Sequence, residues 1–246
     1  MFTPLQQFCD RLLLRSTCRL CQRPATEILC LDCGRQLQAC AQPRQWQSYG
    51  VTVWAWGRYE GLLRRALRQV KFERDRELAQ FLGQCMAASL ADWPRSQPKQ
   101  LIPIPIAADR LRERGFNQAD AIAIAVAQSL RWSCNTDALR RPKSTQALHG
   151  LNHQERQQML DRAFSWRSPQ QRGELWLVDD ILTTGTTLQE ATRTIRAQGD
   201  RVRGWLLLSQ TPALEDLNAA EGSATILKLR KQRHPCRDSS VGRAED

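Results

Sequence analysis

Long hydrophobic runs are missing from this chain of 246 residues. Its apolar runs are far too short to span a bilayer, so the sequence predicts no membrane insertion. Residues 1–5 also lack a basic stretch followed by an apolar one, which is the pattern of a secretory signal. We therefore expect a cytoplasmic, reducing location, in which the nine cysteines are thiols or metal ligands rather than disulfides.

Glycine, proline and histidine are also sparse. With 13 glycines, 11 prolines and 41% hydrophobic residues, the composition is that of a globular protein rather than a low-complexity one. The length suits one main α/β domain with a small appendage. His149 and His153 have no metal-ligand partner at a suitable spacing, so we expect them to be solvated or to make loop contacts rather than to catalyse.

Acidic residues are outnumbered: the chain has 25 Asp and Glu but 36 Lys and Arg, so its formal net charge is +11. A basic balance favours anionic partners such as nucleic acid, nucleotides or polyphosphates, without choosing among them. The basic residues are spread in clusters along the chain, and for any one cluster a solvated helix face is the plainer interpretation.

Four cysteines form two CxxC pairs separated by eight residues, and they are Cys18, Cys21, Cys30 and Cys33. Each pair offers two thiolates from a tight turn, and two pairs this close suit a tetrahedral Zn2+. Two unrelated thiol pairs, or a redox-active CxxC, are the alternatives. We expect a zinc-ribbon region over residues 1–48, with a short helix over residues 1–17 and a polar linker at residues 35–48.

A continuous apolar run at residues 175–178 precedes two adjacent carboxylates, Asp179 and Asp180. Such a run is typical of a strand buried on both faces of a parallel sheet. Hydroxyls around one glycine follow, namely Thr183, Thr184, Gly185, Thr186 and Thr187. Apolar residues then recur at helical spacing from Leu188 to Ile195, so the predicted order is strand, acidic pair, loop and helix.

This order has a chemical meaning. A tight loop that enters a helix N-terminus presents free backbone N–H groups, and the helix dipole favours an anion there. Gly185 permits the close approach that a phosphate needs. The two carboxylates can accept hydrogen bonds from sugar hydroxyls or reach a hydrated Mg2+, so the pattern favours a phosphorylated sugar. The alternative is that the aspartates and threonines merely cap the helix.

The remaining pattern predicts an α/β domain over residues 49–229. Strands are expected at residues 51–56, 101–106, 202–209 and 224–229, with helices at 62–72, 77–90 and through residue 130. The two prolines at residues 103 and 105 place the second strand at an end or edge. Arginines at spacing two in residues 110–114 cannot share one helix face, so we expect part of the stretch 107–118 to be a loop around something anionic. Residues 143–156 are typical of a mobile flap, and residues 230–246 of a disordered tail.

Residues 179–187 resemble the ribose-5-phosphate-binding signature of type I phosphoribosyltransferases, which bind phosphoribosyl pyrophosphate (PRPP). From about Cys18 to Ser209 the chain is similar to the ComF family, in which a zinc ribbon is fused to a phosphoribosyltransferase-like domain. That family is named for its role in bacterial competence for DNA uptake. Besides the cysteines and the signature, the matching stretches are residues 59–61, 71–72, 103–105, 110–118 and 145–146, with Arg156 and Phe164.

The resemblance implies a type I phosphoribosyltransferase-like parallel sheet flanked by helices, with a small N-terminal zinc ribbon. It implies that Asp179 and Asp180 orient the ribose of Mg2+-bound PRPP, that the Thr/Gly loop holds its phosphate, and that Arg110 and Lys143 stabilise the leaving pyrophosphate. The segment 143–156 would close over the site. The chain departs from the family at residues 107–108, where His-Pro is frequent, at Met159, near which the family often has an Asn, and at Trp176, usually an aliphatic residue.

Three functions compete at this point. The first is an enzyme that transfers a phosphoribosyl group from Mg-PRPP to an acceptor. The second is a binding module that senses PRPP or a nucleotide and engages single-stranded DNA or proteins of the DNA-uptake machinery. The third is a structural role in which the pocket is a relic. No acceptor-specific residues are recognisable, so the sequence does not separate the first two.

Overall fold

Helices and strands alternate along the part of the chain that the computed structural model describes, which is residues 17–93, 99–142, 163–167 and 173–212. The helices are α1 (Leu31–Cys40), α2 (Gly61–Phe72), α3 (Arg76–Ala88), α4 (Ala108–Arg114), α5 (Gln118–Leu130) and α6 (Thr186–Ala197). The strands are β1 (Ala41–Ser48), β2 (Val51–Arg58), β3 (Lys99–Pro103), β4 (Ser133–Cys134), β5 (Leu139–Arg140), β6 (Ser165–Trp166), β7 (Glu174–Leu182) and β8 (Val202–Gln210).

The main sheet has six strands in the order β1-β2-β8-β7-β3-β4. Every neighbouring pair is parallel except β1 and β2, which form an antiparallel hairpin. In the centre of the sheet, Leu177 of β7 lies opposite Trp205 of β8 and Ile102 of β3. The predicted α/β class with a mostly parallel sheet is confirmed.

The core is divided into two layers by the sheet. Helices α2, α3 and α5 cover one face, where they pack on side chains such as Trp176 and Val178 of β7. Helix α6 and the β5–β6 ribbon cover the other face, where they pack on Leu175 and Leu177 of the same strand. Because β7 is buried on both faces, its sequence is apolar throughout rather than alternating.

Trp176, a departure from the family pattern, is accommodated by a glycine on the neighbouring strand. Gly204 of β8 lies opposite Trp176 in the register. A Cβ at Gly204 would lie 2.1 Å from Cζ3 of the Trp176 ring. The missing side chain therefore provides the space that the large ring occupies within a close-packed layer.

The prediction of a polar linker at residues 35–48 is wrong. The segment completes α1 and forms β1, which adds an edge strand to the main sheet. Helix α1 buries Cys33 and Leu37, four residues apart. An edge strand exposes one side to solvent, so β1 needs few apolar residues, and it tolerates Pro43 where the β1–β2 register is irregular.

The prediction that part of residues 107–118 is a loop is confirmed, since residues 115–117 connect α4 to α5. The arginines themselves, however, lie on the short helix α4 rather than in that loop. None of its residues is buried, so no apolar period marks it in the sequence. Gly115 ends the helix with a left-handed backbone, φ 77°. The proline prediction of a strand end or edge is confirmed, because Pro103 is the last residue of β3. The strand itself lies between β7 and β4.

The other predicted elements correspond to β2, α2, α3, α5, β7, α6 and β8, with ends that differ by a few residues. The predicted helix over residues 1–17 (all but its last residue), the flap with its two histidines, the last strand and the tail lie outside the described residues. The proposed domain boundaries stay a prediction. None of the helices in the described segments combines the length and apolar character that a bilayer crossing requires.

Candidate functional site

The carboxyl ends of four parallel strands meet at one edge of the sheet. The backbone N–H of Tyr59 donates to the carbonyl of Gln210 at 2.7 Å, and that of Thr211 donates to Leu182 at 3.0 Å. On the other side of β7, the N–H of Ile104 donates to Val178 at 2.9 Å. Ligands of open α/β sheets bind at such an edge, outside the carboxyl ends of the strands.

Asp180 lies at this edge, within β7, and its side chain is held by two partners. It is 4% exposed. The Lys71 ammonium, in the last turn of α2, lies 2.8 Å from Asp180 Oδ2. Gln118, at the start of α5, donates from Nε2 to the same oxygen at 3.3 Å. Asp180 is therefore tied to two helices on one face of the sheet.

Asp179 is less buried and points to the opposite face, as alternation along a strand requires. Its Oδ1 accepts a hydrogen bond from the backbone N–H of Asp180 at 2.8 Å. Burial raises the pKa of the Asp179 carboxyl well above its ordinary value, and the charge of Asp180 raises it further. The Lys71 charge opposes this rise. Two adjacent negative charges are thus disfavoured unless a cation joins them.

The Thr/Gly loop begins where β7 ends. Gly185 has φ 74° and occupies the N-cap position of α6, and its carbonyl accepts from the Gln189 N–H at 2.9 Å. The four threonines are exposed, and the hydroxyl oxygens of Thr184 and Thr186 are 2.9 Å apart. A glycine is required here because other residues rarely adopt this backbone conformation.

The alternative that the threonines merely cap α6 is poorly supported by this geometry. The N-cap residue is a glycine, which has no capping side chain. Within the described residues, Thr184 Oγ1 accepts from the Thr186 N–H at 3.5 Å, which is too long for a strong cap. The first turn of α6 therefore presents N–H groups and hydroxyls outward, as an anion site does.

Arg141 is a residue of this region that the sequence analysis did not single out. Its guanidinium carbon lies 5.6 Å from the centroid of the Phe164 ring, and among the described residues its buried Nε has no hydrogen-bond partner. Burial lowers the pKa of Arg141, while the charges of Glu190, Asp109 and Asp179 raise it. The sequence signal was the basic run from Arg140 to Lys143, which is too common to distinguish one arginine.

The residues predicted to stabilise the pyrophosphate are Arg110 and Lys143. Arg110 is exposed on α4, and its positive charge contributes to lowering the pKa of Arg141, so the two arginines face the same region. Lys143 lies outside the described residues. The structure therefore brings together the acidic pair, the Thr/Gly loop and Arg141, with Arg110 nearby.

Asn117 connects α5 to the end of β3. Its Nδ2 donates to the Ile104 carbonyl at 3.0 Å and to Asp120 at 2.7 Å, while its Oδ1 accepts from the Ala119 N–H at 3.2 Å. Burial raises the pKa of Asp120 to about 6. These contacts position the start of α5, and hence Gln118, against Asp180.

The four predicted metal ligands come together. The Sγ atoms of Cys18, Cys21, Cys30 and Cys33 lie within 4.8 Å of one another, so the group could hold a metal ion. Arg23 donates from Nε to Cys21 Sγ at 3.4 Å and lowers the pKa of that thiol to about 6. A guanidinium beside the thiols compensates part of the negative charge of a thiolate set.

The segment that carries these cysteines, residues 17–40, is called the cysteine module below. It docks on the connection between α2 and α3. The Arg19 guanidinium forms an ion pair with Glu77, and its Nε lies 3.8 Å from Asp75 Oδ2. The backbone carbonyl of Arg19 accepts a hydrogen bond from the Gln69 side chain. Asp75 is also the N-cap residue of α3, since its Oδ1 accepts a hydrogen bond from the Leu78 N–H at 2.9 Å. Leu20 is buried in the same core layer as α2 and α3.

Comparison with known proteins finds curated relatives. The chain is 31% identical over 198 residues to the DNA utilization protein YhgH of Escherichia coli O157:H7, which covers 78% of this chain and 84% of that protein. It is 30% identical over 204 residues to Competence protein F of Haemophilus influenzae, covering 76% and 88%. It is 26% identical over 190 residues to Competence protein ComFC of Bacillus subtilis, covering 74% and 72%. No family model matches the chain.

Two solved structures share a distant likeness. An orotate phosphoribosyltransferase from Aeropyrum pernix aligns with a TM-score of 0.33 and 16% identity, covering 77% of this chain and 89% of that one. A hypoxanthine phosphoribosyltransferase from Staphylococcus aureus aligns with a TM-score of 0.33 and 14% identity, covering 56% and 66%. Neither alignment is close enough to inform the chemistry of the site.

Proposed function

This chain belongs to the ComF family, and from that membership and the geometry of its acidic edge we propose that it binds PRPP with Mg2+ and transfers the phosphoribosyl group to an acceptor. The observation that carries the proposal is one strand-to-helix turn. It places a carboxylate pair beside a glycine loop that opens onto a helix N-terminus.

The 5-phosphate of the sugar occupies the Thr/Gly loop in this proposal. Thr183, Thr184, Thr186 and Thr187 supply hydroxyls, and the first turn of α6 supplies N–H groups and the positive end of its dipole. Gly185 lets the phosphate approach the backbone. Thr183, Thr184, Thr186 and Thr187 are exposed, so their hydroxyls are accessible to a phosphate.

The two carboxylates have different tasks. Asp180 is already bound to Lys71 and Gln118, so it positions the end of β7 and sets the charge of the pair. Asp179 is not held by such a pair of side chains. It is therefore the carboxylate that accepts hydrogen bonds from the ribose hydroxyls or reaches a hydrated Mg2+. As pyrophosphate departs, positive charge develops on the ribose, and the pair stabilises it.

Arginines complete the anionic end of the ligand. Within the described part of the chain the buried Nε of Arg141 has no partner, and the charges of Asp179 and Arg110 act on this arginine. Both observations support a role for Arg141, with Arg110, in holding the pyrophosphate. Lys143 is assigned to the same role by the family resemblance alone. The acceptor is not specified by any recognisable residue.

The cysteine module binds one structural Zn2+ in this proposal. Four thiols within 4.8 Å of one another match a tetrahedral thiolate site, and Zn2+ is the metal that such sites take in proteins without redox function. When bound, the metal would join the first CxxC turn to the start of α1. Arg23 would then balance part of the charge of the thiolates.

A second function is favoured by the relatives and the charge. The relatives are named as DNA utilization and competence proteins, and the formal net charge is +11. In this reading the chain is a cytoplasmic module of DNA uptake that senses PRPP or a nucleotide and binds single-stranded DNA or a protein of the uptake machinery. Both functions use the acidic edge, but only the first requires turnover.

Calorimetric titration with ribose 5-phosphate and PRPP, with and without Mg2+, tests the proposal. Wild type is expected to bind both, and Mg2+ to strengthen PRPP binding. Gly185→Ala should lose binding, because a side chain strains the positive-φ backbone of the loop and its Cβ would contact Tyr49 and Gln189. Gly199→Ala is the matched control, since Gly199 also has positive φ, 86°, but has no atom within 4 Å of its Cβ position. Equal binding by all three proteins would place the site elsewhere. Turnover of PRPP with candidate bases or amines then separates enzyme from sensor.

A further inference from the structure

An open groove of about 550 Å³ lies between the cysteine module and the outer face of α2. Leu20 and Gln22 of the module form part of one wall. Arg64, Arg65 and Arg68 of α2 line the other, with Phe72 at the end of the helix. This surface is called the arginine groove below. It is separate from the acidic edge, and neither the cysteine cluster nor the carboxylate pair contributes to its lining.

The charge of the groove is positive and accessible. All three arginines are exposed, and the spacing of Arg64, Arg65 and Arg68 places them along one side of α2. Within the described residues neither Arg65 nor Arg68 takes part in an ion pair. Glu73 is the acidic residue of the lining, so three positive charges meet one negative charge. Such a surface attracts an anion without a fixed partner.

Phe72 adds an aromatic surface to the same groove. It is 71% exposed, an unusual position for a large apolar ring. It follows Arg68 by four residues, one helical turn, so the ring and the guanidinium lie on the same side of α2. An exposed ring beside unpaired cations has the chemistry of a stacking platform for a base whose phosphates are held next to it.

We propose that the arginine groove binds single-stranded DNA, with Arg65 and Arg68 on successive phosphates and Phe72 stacked on a base. The proposal rests on the second function above, and it does not depend on PRPP turnover. A single strand fits better than a duplex because Phe72 can stack on a base only if that base is unpaired. The open shape of the groove lets a chain pass through it, whereas an enclosed pocket would hold only a free nucleotide.

The test is fluorescence anisotropy of a short labelled oligothymidine against the full chain over a series of salt concentrations. Arg65→Ala with Arg68→Ala is the first variant. Each phosphate contact on a single strand contributes about 0.7 to the slope of log affinity against log salt, so this slope should fall by about 1.4. The matched control is Arg35→Ala with Arg201→Ala, which removes the same charge from exposed positions outside the groove and should change the slope little.

The second variant is Phe72→Ala, with Phe72→Trp as its conservative partner. Phe72→Ala should weaken binding about tenfold at every salt concentration, because stacking does not release counterions. Phe72→Trp should retain the affinity. Phe72 is exposed at the surface of α2, and thermal melting of each variant checks that the fold is intact.

A folded wild type that does not bind the oligonucleotide overturns the proposal, as do unchanged affinity and salt slope in both groove variants. Tighter binding of duplex DNA, or of single-stranded RNA of matching sequence, overturns the assignment to single-stranded DNA. Ribose 5-phosphate binding by the same variants is expected to be unchanged. A wild type that binds the sugar phosphate but not DNA therefore defeats the groove alone, and the opposite result defeats the acidic-edge proposal alone.

Discussion

The cysteine module and the acidic edge are assembled in different ways. The module takes its four thiols from one short local segment, and Arg19 with Leu20 docks it on α2 and α3. The acidic edge draws its side chains from β7, α2 and α5, which are far apart in the chain. The module therefore draws its thiols from local chain geometry and rests on the α2–α3 layer, whereas the side chains of the acidic edge meet only through tertiary packing. The stability of the cysteine module should therefore depend most on bound metal, and that of the acidic edge on the pairing of buried charges.

Removal of metal should have the largest effect, and it should be confined to the module. A structural zinc site contributes on the order of 10 kcal/mol to local folding. We expect elemental analysis to find about one Zn per chain. Chelation, or Cys30→Ser, should lower the melting temperature and raise hydrogen exchange over residues 17–40. Cys85→Ser, outside the cluster, is the control. A metal-free protein with unchanged protection would show that the module folds without metal.

Breaking the Lys71–Asp180 pair should come next. Lys71→Met leaves a buried carboxylate without its cation, which costs about 3–5 kcal/mol for a fully buried pair. Lys71 is 19% exposed, so we expect about 2–3 kcal/mol in denaturant unfolding. The double variant with Asp180→Asn should recover part of the loss, because no uncompensated charge remains. A single variant as stable as wild type would mean that the acidic edge does not depend on this pair.

Arg141→Met should affect ligand binding more than stability. The methionine retains packing on Phe164 but removes the charge, so about 1.5–3 kcal/mol of PRPP affinity should be lost. Ribose 5-phosphate, which lacks the pyrophosphate, should bind almost as before. Isothermal titration with both ligands makes the comparison within one protein. If both affinities fall equally, Arg141 holds the structure of the loop rather than the pyrophosphate.

The smallest expected effect is a pH dependence at Asp179. Its pKa is raised in the folded protein, so the folded state binds a proton more tightly than the unfolded state. Stability should therefore decline as pH rises from the ordinary Asp pKa towards the raised value, and Asp179→Asn should remove that decline. The affinity for Mg-PRPP should change in the opposite direction, since the cation needs the ionised carboxylate. Stability curves of the two proteins that run parallel across this range would contradict the assignment.

Much of this architecture follows from local patterns. The buried run at residues 175–178, the carboxylate pair and the Thr/Gly loop predict the strand-to-helix turn that the structure contains, although both aspartates lie inside β7 rather than after it. The CxxC spacing predicts a cluster that local chain geometry is sufficient to form. Apolar periods predict α2, α3, α5 and α6, because each buries one face.

Elements without a buried face were missed. Helix α4 has no buried residue, and β1 is an edge strand with a largely polar sequence, so neither leaves a hydrophobic period. Their conformations depend on what they adjoin: β1 on the hydrogen-bonding groups of β2, and α4 on the end of β3 and its own glycine stop. The space for the large Trp176 ring is explained only by Gly204, which lies opposite it on the neighbouring strand but far from it in the sequence.

By itself, the sequence determined the class of the fold, the cysteine cluster and the order of strand, acidic pair, loop and helix, because each depends on residues close together in the chain. Only the tertiary structure decided which carboxylate is held and which is available. Lys71 lies 2.8 Å from Asp180 although 109 positions of sequence separate them. Arg141, whose pKa the charge of Asp179 raises, comes from the segment that follows β5. The arginine groove likewise exists only because the cysteine module docks beside α2. Such juxtapositions arise from packing, which has no local signature in the chain.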